Sequence, residues 1–325
     1  MKNKINCVGI LTSGGDAPGM NAGIRAVTRA ALYHGIKVKG IYRGYKGLIT
    51  GEIKEFKTED VSNIIQRGGT ILKTSRCDEF KTEEGRATGY ATLQKEGIDA
   101  LVVIGGDGSI TGAYNLAREY DIPCIALPGT IDNDLYGTDT TIGYDTATNT
   151  VVDLVDKLRD TCASHDRCSV VEVMGRHAGW LALGAGIAAG ATSIIVPEVP
   201  YDFQKDIVDR MNYTKSLGKS HFIVMVAEGI GDVDQLAKNI EAATGVETRA
   251  TVLGHVQRGG RPSARDRILA SQMGYYAAHL LMEGKTERVV AVNNNQLMDY
   301  DIDEALAIKK PFKDQLFRMA EEINI

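Results

Sequence analysis

Short β-branched runs alternate with helical patterns along the whole chain of 325 residues. The strand candidates lie at 6–11, 38–42, 100–104, 124–127, 169–173, 193–196, 222–227, 250–253 and 289–292. The helix candidates between them lie at 21–34, 108–120, 146–161, 203–216, 233–243 and 264–282. Continuous apolar strands separated by helices are typical of parallel sheets that helices cover on both faces. Because 325 residues exceed the usual size of one hydrophobic core, we expect two such α/β domains.

The composition limits the class of protein and its partners. Hydrophobic residues make up 43% of the chain and charged residues 24%, which is ordinary for a soluble globular protein. The net charge of −5 argues against a general nucleic-acid binder, which would show a basic excess. Five cysteines without a CxxC pair predict free thiols in a reducing compartment. With no signal-peptide pattern and no apolar run long enough to span a membrane, the expected location is the cytoplasm, without a membrane partner.

Two loops that carry glycines and carboxylates each follow a hydrophobic strand. Gly-Gly-Asp-Gly-Ser at 105–109 closes the run 100–104, and Pro-Gly-Thr-Ile-Asp-Asn-Asp at 128–134 closes the run 124–127. Glycine lets backbone N–H groups approach phosphate oxygens. Carboxylates can hold Mg²⁺ or take a proton from an alcohol. Together the loops predict a site that holds Mg-triphosphate beside a general base.

Asp107 and Asp132 are the carboxylates to which we assign chemistry. Mg²⁺ prefers few carboxylates together with water and phosphate oxygens, so Asp107 is the candidate metal ligand. Gly108 and Ser109 begin a predicted helix whose N-terminus favours phosphate. We expect Asp132 to be the general base that deprotonates the attacking hydroxyl, with Thr130 assisting the transferred phosphoryl group.

Five motifs in the expected order resemble those of the bacterial ATP-dependent 6-phosphofructokinases, in the phosphofructokinase family. They are TSGGDAPGMNA at 12–22, GGDGS at 105–109, PGTIDND at 128–134, VEVMGRHAG at 171–179 and LGHVQRGG at 253–260. The resemblance runs from residue 10 to about residue 312. It implies allosterically controlled transfer of a phosphoryl group from MgATP to the 1-hydroxyl of fructose 6-phosphate. The products would be fructose 1,6-bisphosphate and ADP, in the committed step of glycolysis.

The resemblance also implies two doubly wound parallel-sheet (Rossmann-like) domains with the active site in the cleft between them. The expected ATP-binding domain comprises residues 1–143 and about 259–308. The expected sugar-phosphate domain comprises about 144–258 and about 309–325. Without the resemblance, the sequence does not reveal that the chain returns to its first domain.

By resemblance, the ATP site is formed by Gly15, Arg76, Cys77, Gly106, Asp107, Gly108 and Ser109. Arg76 would stabilise the charge of the phosphoryl-transfer transition state. Glycines at 108 and 129 favour ATP as the donor, because pyrophosphate-dependent relatives tend to carry Asp and Lys there. An Asp at 108 would crowd and repel the α-phosphate of ATP.

By the same resemblance, the sugar is bound by Thr130, Ile131, Asp132, Met174, Gly175, Arg176 and Glu228, with Arg176 also catalytic. His255 and Arg258 of one subunit would hold the 6-phosphate together with Arg167 and Arg249 of a neighbouring subunit. Arginine suits this role because its planar fork binds phosphate oxygens in pairs. A shared phosphate pocket requires an oligomer, and the resemblance implies a homotetramer.

Regulation is where the family pattern weakens. The resemblance implies that ADP or GDP activates and phosphoenolpyruvate inhibits at one site whose basic residues are Arg25, Arg29, Arg159 and Lys219. Charged residues of some relatives are replaced by Thr58, Thr192, Leu217 and Ser220. Because each lost charge-assisted contact is worth on the order of 1–3 kcal/mol, we expect reduced affinity or an altered effector preference.

Four alternatives have different sequence requirements. A pyrophosphate-dependent phosphofructokinase is disfavoured by Gly108 and Gly129. An NAD kinase or lipid kinase also uses a GGDG loop, but would lack the PGTIDND and HVQRGG motifs. A P-loop NTPase is disfavoured because Met20-Asn21 follows the glycines at 14 and 19 in place of Lys and Ser/Thr. A non-catalytic sensor on this fold would have lost its catalytic carboxylates, which are present here.

Overall fold

The structure is a computed structural model that describes residues 5–324, in which the chain forms two compact units. Of these residues, unit one holds 5–131, 135–146 and 258–310. Unit two holds 132–134, 147–257 and 311–324. The chain therefore leaves the first unit and later returns to it.

The strands and helices of residues 5–324 alternate through most of the chain. The strands are β1 Cys7–Thr12, β2 Lys37–Ile41, β3 Ile53–Phe56, β4 Ala100–Gly105, β5 Cys124–Pro128, β6 Cys168–Val173, β7 Ser193–Ile195, β8 Phe222–Ala227, β9 Thr248–Val252, β10 Arg288–Asn293 and β11 Gln296–Asp301. The α-helices are α1 Met20–Tyr33, α2 Gly44–Thr50, α3 Glu83–Lys95, α4 Asp107–Tyr120, α5 Tyr144–His165, α6 Trp180–Ala188, α7 Arg210–Ser216, α8 Val233–Thr244, α9 Ala264–Met282, α10 Ile302–Ala307 and α11 Asp314–Ile323. A π-helix, Phe203–Asp209, leads directly into α7.

In the described part of unit one, seven strands form a sheet in the order β11-β10-β5-β4-β1-β2-β3. The five inner strands are parallel, whereas β3 and β11 are antiparallel edge strands. Every residue of β1, β4 and β5 is buried, as expected for strands that helices cover on both faces. The loops that follow these three strands therefore emerge at one edge of the sheet.

In the described part of unit two, four parallel strands form a sheet in the order β7-β8-β6-β9. The central strand β8 is buried throughout and packs into a core with the π-helix, α7 and α8. The predicted α/β class with mainly parallel sheets is confirmed, and all nine strand candidates coincide with strands to within two residues. Within residues 5–324, no helix is long and apolar enough to cross a membrane.

Candidate active site

The loops after β1 and β4 meet in unit one. The Ser13 N–H donates to the carbonyl oxygen of Ile104 at 3.0 Å. A Cβ placed on Gly105 would lie 2.5 Å from both the Ser13 carbonyl oxygen and the Ser109 Oγ. Since backbone oxygen cannot yield like a flexible side chain, glycine is required for this contact. The two loops are therefore in contact, as the parallel order of their strands predicts.

Asp107 lies at the start of α4 and is exposed, as is Gly108. A Cβ placed on Gly106 would lie 3.7 Å from the Cβ of Thr130. The loop after β4 therefore faces the loop after β5. Ser109 is buried. A phosphate group at this point would meet the amide end of α4 with a carboxylate beside it.

One exposed carboxylate fits the way in which Mg²⁺ binds nucleotides. Among residues 5–324, no group of three or more His, Cys, Asp or Glu side chains could hold a metal by itself. Mg²⁺ on a nucleotide takes most of its oxygen ligands from phosphate and water, so a single protein carboxylate is enough. Asp107, open to solvent at the helix start, meets that requirement.

Gly108 and Gly129 differ in the space around them. Apart from the backbone of its own helix and its two chain neighbours, no described heavy atom lies within 4 Å of a Cβ placed on Gly108. At Gly129, the same Cβ would lie 2.9 Å from Ile104 Cγ2 and 3.1 Å from Met20 Cε. A side chain is therefore tolerated sterically at position 108 but not at position 129 without displacing core residues.

The segment that carries Arg76 and Cys77 is tied to the loop after β1. Thr12 Oγ1 donates to the carbonyl oxygen of Lys73 at 2.9 Å, and Thr74 Oγ1 donates to that of Gly14 at 2.7 Å. Arg76 is exposed, and Cys77 is a partly buried free thiol. The anchoring role of Thr74 had no signal in the sequence, because it depends on a contact across 60 residues.

Arg258 lies against Gly15 in unit one. A Cβ on Gly15 would be 1.6 Å from Arg258 Nη1. Among the described residues, the buried Nε atom of Arg258 has no hydrogen-bond partner. Gly15 is a predicted ATP-binding residue and Arg258 a predicted ligand of the sugar 6-phosphate, and the structure brings these two residues together.

The loop after β6 in unit two carries Met174, Gly175 and Arg176. Gly175 has φ of +124°, and a Cβ there would lie 2.2 Å from the carbonyl oxygen of Ala178. Arg176 Nη2 forms a 3.1 Å ion pair with Glu228 Oε1, which joins two residues assigned to the sugar. The Arg176 side chain is largely exposed, so this pair can rearrange around a ligand.

Arg167 and Arg249 are also brought together, through a carboxylate that the sequence analysis missed. Arg167 Nε lies 2.7 Å from Glu247 Oε2, and Arg249 Nη2 lies 2.9 Å from Glu247 Oε1. Hydrogen bonds from Arg167 and then from Arg249 hold the pKa of Glu247 below its ordinary value. His255 is exposed on the turn that follows β9. The two arginines thus form one cationic patch around an ionised carboxylate.

The candidate effector residues lie on both units. On α1, burial and then the neighbouring charge of Arg29 lower the pKa of Arg25. In unit two, Arg159 donates to the carbonyl oxygens of Ala189 and Gly190 after α6. Burial, and then the charges of Arg159 and Arg210, lower the pKa of Lys219. Neighbouring positive charges of this kind favour an anion.

Of the positions that depart from the family pattern, Thr58, Leu217 and Ser220 are exposed and Thr192 is buried. Thr192 lines a cavity of about 300 Å³ in unit two together with Arg210 and residues of α11. Its Oγ1 atom has no hydrogen-bond partner in the described part of the chain.

Glycine-rich loops and carboxylates at the ends of parallel strands define an α/β protein built to bind phosphate groups. The sequence profile of the phosphofructokinase family matches residues 7–281. The ATP-dependent 6-phosphofructokinase of Bacillus subtilis is 55% identical over 98% of this chain and 99% of its own. ATP-dependent 6-phosphofructokinase 1 of Clostridium perfringens is 56% identical over the same shares of the two chains. The solved structure of phosphofructokinase from Saccharomyces cerevisiae superposes with a TM-score of 0.88 and 38% identity, covering 93% of this chain and 45% of that one. The chain belongs to the phosphofructokinase family, which confirms the resemblance of its motifs.

Proposed function

We propose that this protein is an ATP-dependent 6-phosphofructokinase. It transfers the γ-phosphoryl group of MgATP to the 1-hydroxyl of fructose 6-phosphate and forms fructose 1,6-bisphosphate and ADP, the committed step of glycolysis. The observation that carries the proposal is the contact between the glycine loops after β1 and β4, with Asp107 at the start of α4. The near-full-length similarity to enzymes named for this reaction supports it.

Unit one binds the nucleotide in this proposal. Backbone N–H groups of the glycine loops meet the phosphates, and Asp107 holds the Mg²⁺ that neutralises them. Arg76, on the segment that Thr74 anchors, stabilises charge on the transferring group. The proposed ATP-binding residues are Gly15, Arg76, Cys77, Gly106, Asp107, Gly108 and Ser109.

Most of the proposed sugar-binding residues belong to unit two, whereas Thr130 and Arg258 belong to unit one. Asp132 accepts the proton of the attacking hydroxyl, and Thr130 orients the phosphoryl group. The Arg176 side chain contributes positive charge, while its partner Glu228 accepts hydrogen bonds from sugar hydroxyls. His255 and Arg258, with Arg167 and Arg249 of a neighbouring subunit, hold the 6-phosphate.

The chain is proposed to work as a homotetramer in the cytoplasm. A phosphate pocket completed by a neighbouring subunit needs at least a dimer, and closed symmetry is usual for identical subunits. ADP or GDP and phosphoenolpyruvate are the proposed effectors, bound by Arg25, Arg29, Arg159 and Lys219. Reduced affinity or altered preference is expected because Thr58, Thr192, Leu217 and Ser220 lack charge.

The test is the initial rate of fructose 1,6-bisphosphate formation with MgATP and with Mg-pyrophosphate. We expect a rate with MgATP that falls by about 10²–10⁴-fold in Asp132→Ala, because the general base is lost. The matched control is Asp153→Asn, which changes an exposed carboxylate on α5 that pairs with Lys157 and should leave the rate unchanged. A pyrophosphate rate equal to or above the ATP rate would contradict the proposed donor.

A further inference from the structure

The loop of residues 174–179, which we call the sugar loop, is held at both ends by side chains from elsewhere in unit two. It connects β6 to α6 and carries three of the residues proposed to bind the sugar. The backbone conformation of this loop therefore sets the position of the Arg176 Cα and the orientation of the loop toward a bound sugar.

Gln257 holds the first end of this loop. Its side chain is fully buried, with 0% of the residue exposed. Its Oε1 accepts a hydrogen bond from the Met174 N–H at 3.0 Å, and its Nε2 donates to the carbonyl oxygen of Gly254 at 2.9 Å. A neutral amide is the side chain that can satisfy a backbone donor and a backbone acceptor at once. Gln257 thus joins the sugar loop to the turn that carries His255.

Glu198 holds the second end. The Gly179 N–H donates to both carboxylate oxygens of Glu198, at 2.8 and 3.0 Å. A Cβ on Gly179 would lie 2.4 Å from Val196 Cβ, so the backbone is pressed against the segment after β7. Charge-assisted hydrogen bonds of this kind are about twice as strong as neutral ones.

The middle of the loop is closely packed as well. A Cβ on Gly229 would lie 2.0 Å from the carbonyl oxygen of Arg176. The loop after β8 therefore packs directly against the Arg176 backbone, next to Glu228, its ion-pair partner. Contacts at both ends and in the middle leave the loop little freedom to shift.

We infer that Gln257 and Glu198 are positioning residues for fructose 6-phosphate binding. Gln257 joins the sugar loop to the 254–258 turn, and Glu198 fixes the other end of the loop, in the arrangement that lets the sugar and its 6-phosphate be held together. Preorganised backbone of this kind avoids an ordering cost when the substrate binds. The inference rests on the proposed function, because it concerns the same sugar site.

The test compares Gln257→Met and Gln257→Glu with the wild type. Gln257→Met keeps the shape but leaves the Met174 N–H and the Gly254 carbonyl without their partner. We expect KM for fructose 6-phosphate to rise about tenfold, with KM for ATP within about twofold of wild type. In Gln257→Glu, a protonated carboxyl can make both hydrogen bonds, whereas a carboxylate faces the Gly254 carbonyl. The ratio of its KM for fructose 6-phosphate to that of wild type should therefore rise between about pH 6 and about pH 8.

Two controls separate positioning from general stability. Thr214→Val removes a different buried polar group of unit two, a hydroxyl that bonds within α7, and should leave both KM values unchanged. Glu198→Gln keeps an acceptor for the Gly179 N–H, while Glu198→Leu removes it and should raise only KM for fructose 6-phosphate. Equal increases in both KM values, or no change, in Gln257→Met would overturn the inference. No activity of the wild type with fructose 6-phosphate would instead overturn the proposed function.

Discussion

Position 108 is occupied by glycine although a side chain would fit there. A substitution at Gly108 therefore tests whether this residue determines the choice between ATP and pyrophosphate as the phosphoryl donor. The residue is exposed at the start of α4, with open space around the Cβ position. At position 129, by contrast, any side chain would push into Ile104 and Met20. Substitution at 129 therefore mixes donor choice with packing, whereas substitution at 108 does not.

We predict that Gly108→Asp lowers kcat/KM for ATP by about ten- to hundredfold, because the new carboxylate repels the nucleotide phosphates. Stability should not fall, since an acidic residue in the first turn of a helix is favourable. Steady-state kinetics with varied MgATP, together with the thermal unfolding midpoint, check both parts. Gly108→Ala is the control for adding a side chain without charge, and it should lower kcat/KM for ATP much less than Gly108→Asp does. Wild-type ATP kinetics in Gly108→Asp would show that the residue at position 108 does not determine the phosphoryl donor.

Some site contacts could not be predicted at the residue scale. Glu247, Thr74, Gln257 and Glu198 each orient a segment of the proposed site through side-chain contacts in the folded chain. Three of them bond to the backbone, and a backbone group has no sequence signature. The glycines and carboxylates at strand ends were predictable, because strand order brings such loops together whatever the rest of the chain does.

At the scale of elements, the β10–β11 hairpin depends on a carboxylate with several partners. The Asp299 side chain is 7% exposed and accepts from Arg288 Nε at 2.5 Å and from the Tyr276 hydroxyl at 2.9 Å. Lys285 Nζ lies 3.3 Å away. Burial alone would raise the pKa of Asp299, but hydrogen bonds from Tyr276, Arg288 and Lys285 outweigh it and hold the pKa below its ordinary value.

We predict that Asp299→Asn lowers the free energy of unfolding by about 1–3 kcal/mol at pH 7. Because the folded-state pKa is depressed, the stabilisation is complete above the ordinary aspartate pKa and is lost as pH falls through the folded value. Urea unfolding at pH 7 and at about pH 3 should therefore show a smaller difference from wild type at the lower pH. The matched control, Asp301→Asn, removes a more exposed carboxylate that also pairs with Arg288 and should cost under about 1 kcal/mol. A difference that stays constant with pH would contradict this role of Asp299.

The strands and helices that were not predicted from the sequence lack the residue patterns on which such predictions depend. The edge strands β3 and β11 contain polar residues and lack the continuous apolar run of a buried strand. The helices α2 and α3 contain two glycines each, which weakens the helical pattern. The predicted helix at 203–216 is present, but it begins as a π-helix, a difference in hydrogen bonding that residue periodicity does not reveal.

At the scale of the whole molecule, the proposed sharing of the phosphate pocket can be tested by subunit mixing. We predict that Asp132→Ala and Arg249→Ala are each nearly inactive, because one lacks the base and the other weakens the neighbour's phosphate contact. Co-refolding the two variants in equal amounts should restore activity at about one site in four, where an intact base meets an intact Arg249. The measurement is the fructose 6-phosphate-dependent rate of the mixture relative to the two variants alone.

The mixing experiment needs its own control. Asp132→Ala mixed with a double variant that carries both changes contains no site with an intact base and should stay inactive. Activity in the Asp132→Ala and Arg249→Ala mixture no higher than the sum of its parts would show that Arg249 serves its own subunit. Sedimentation of the mixture confirms whether the variants assemble.

Glu247 gives the pair Arg167 and Arg249 a built-in counter-ion. In the proposed function, an anion that binds to Arg167 and Arg249 has to displace the Glu247 carboxylate, because the two guanidinium groups are already paired with it. For a ligand that offers only a singly charged carboxylate, the exchange replaces like with like and gains little. A phosphate monoester carries more charge and more acceptor oxygens, so it gains from the exchange. In the proposed function, competition from the Glu247 carboxylate would therefore favour a phosphate monoester over anions of lower charge at these two arginines.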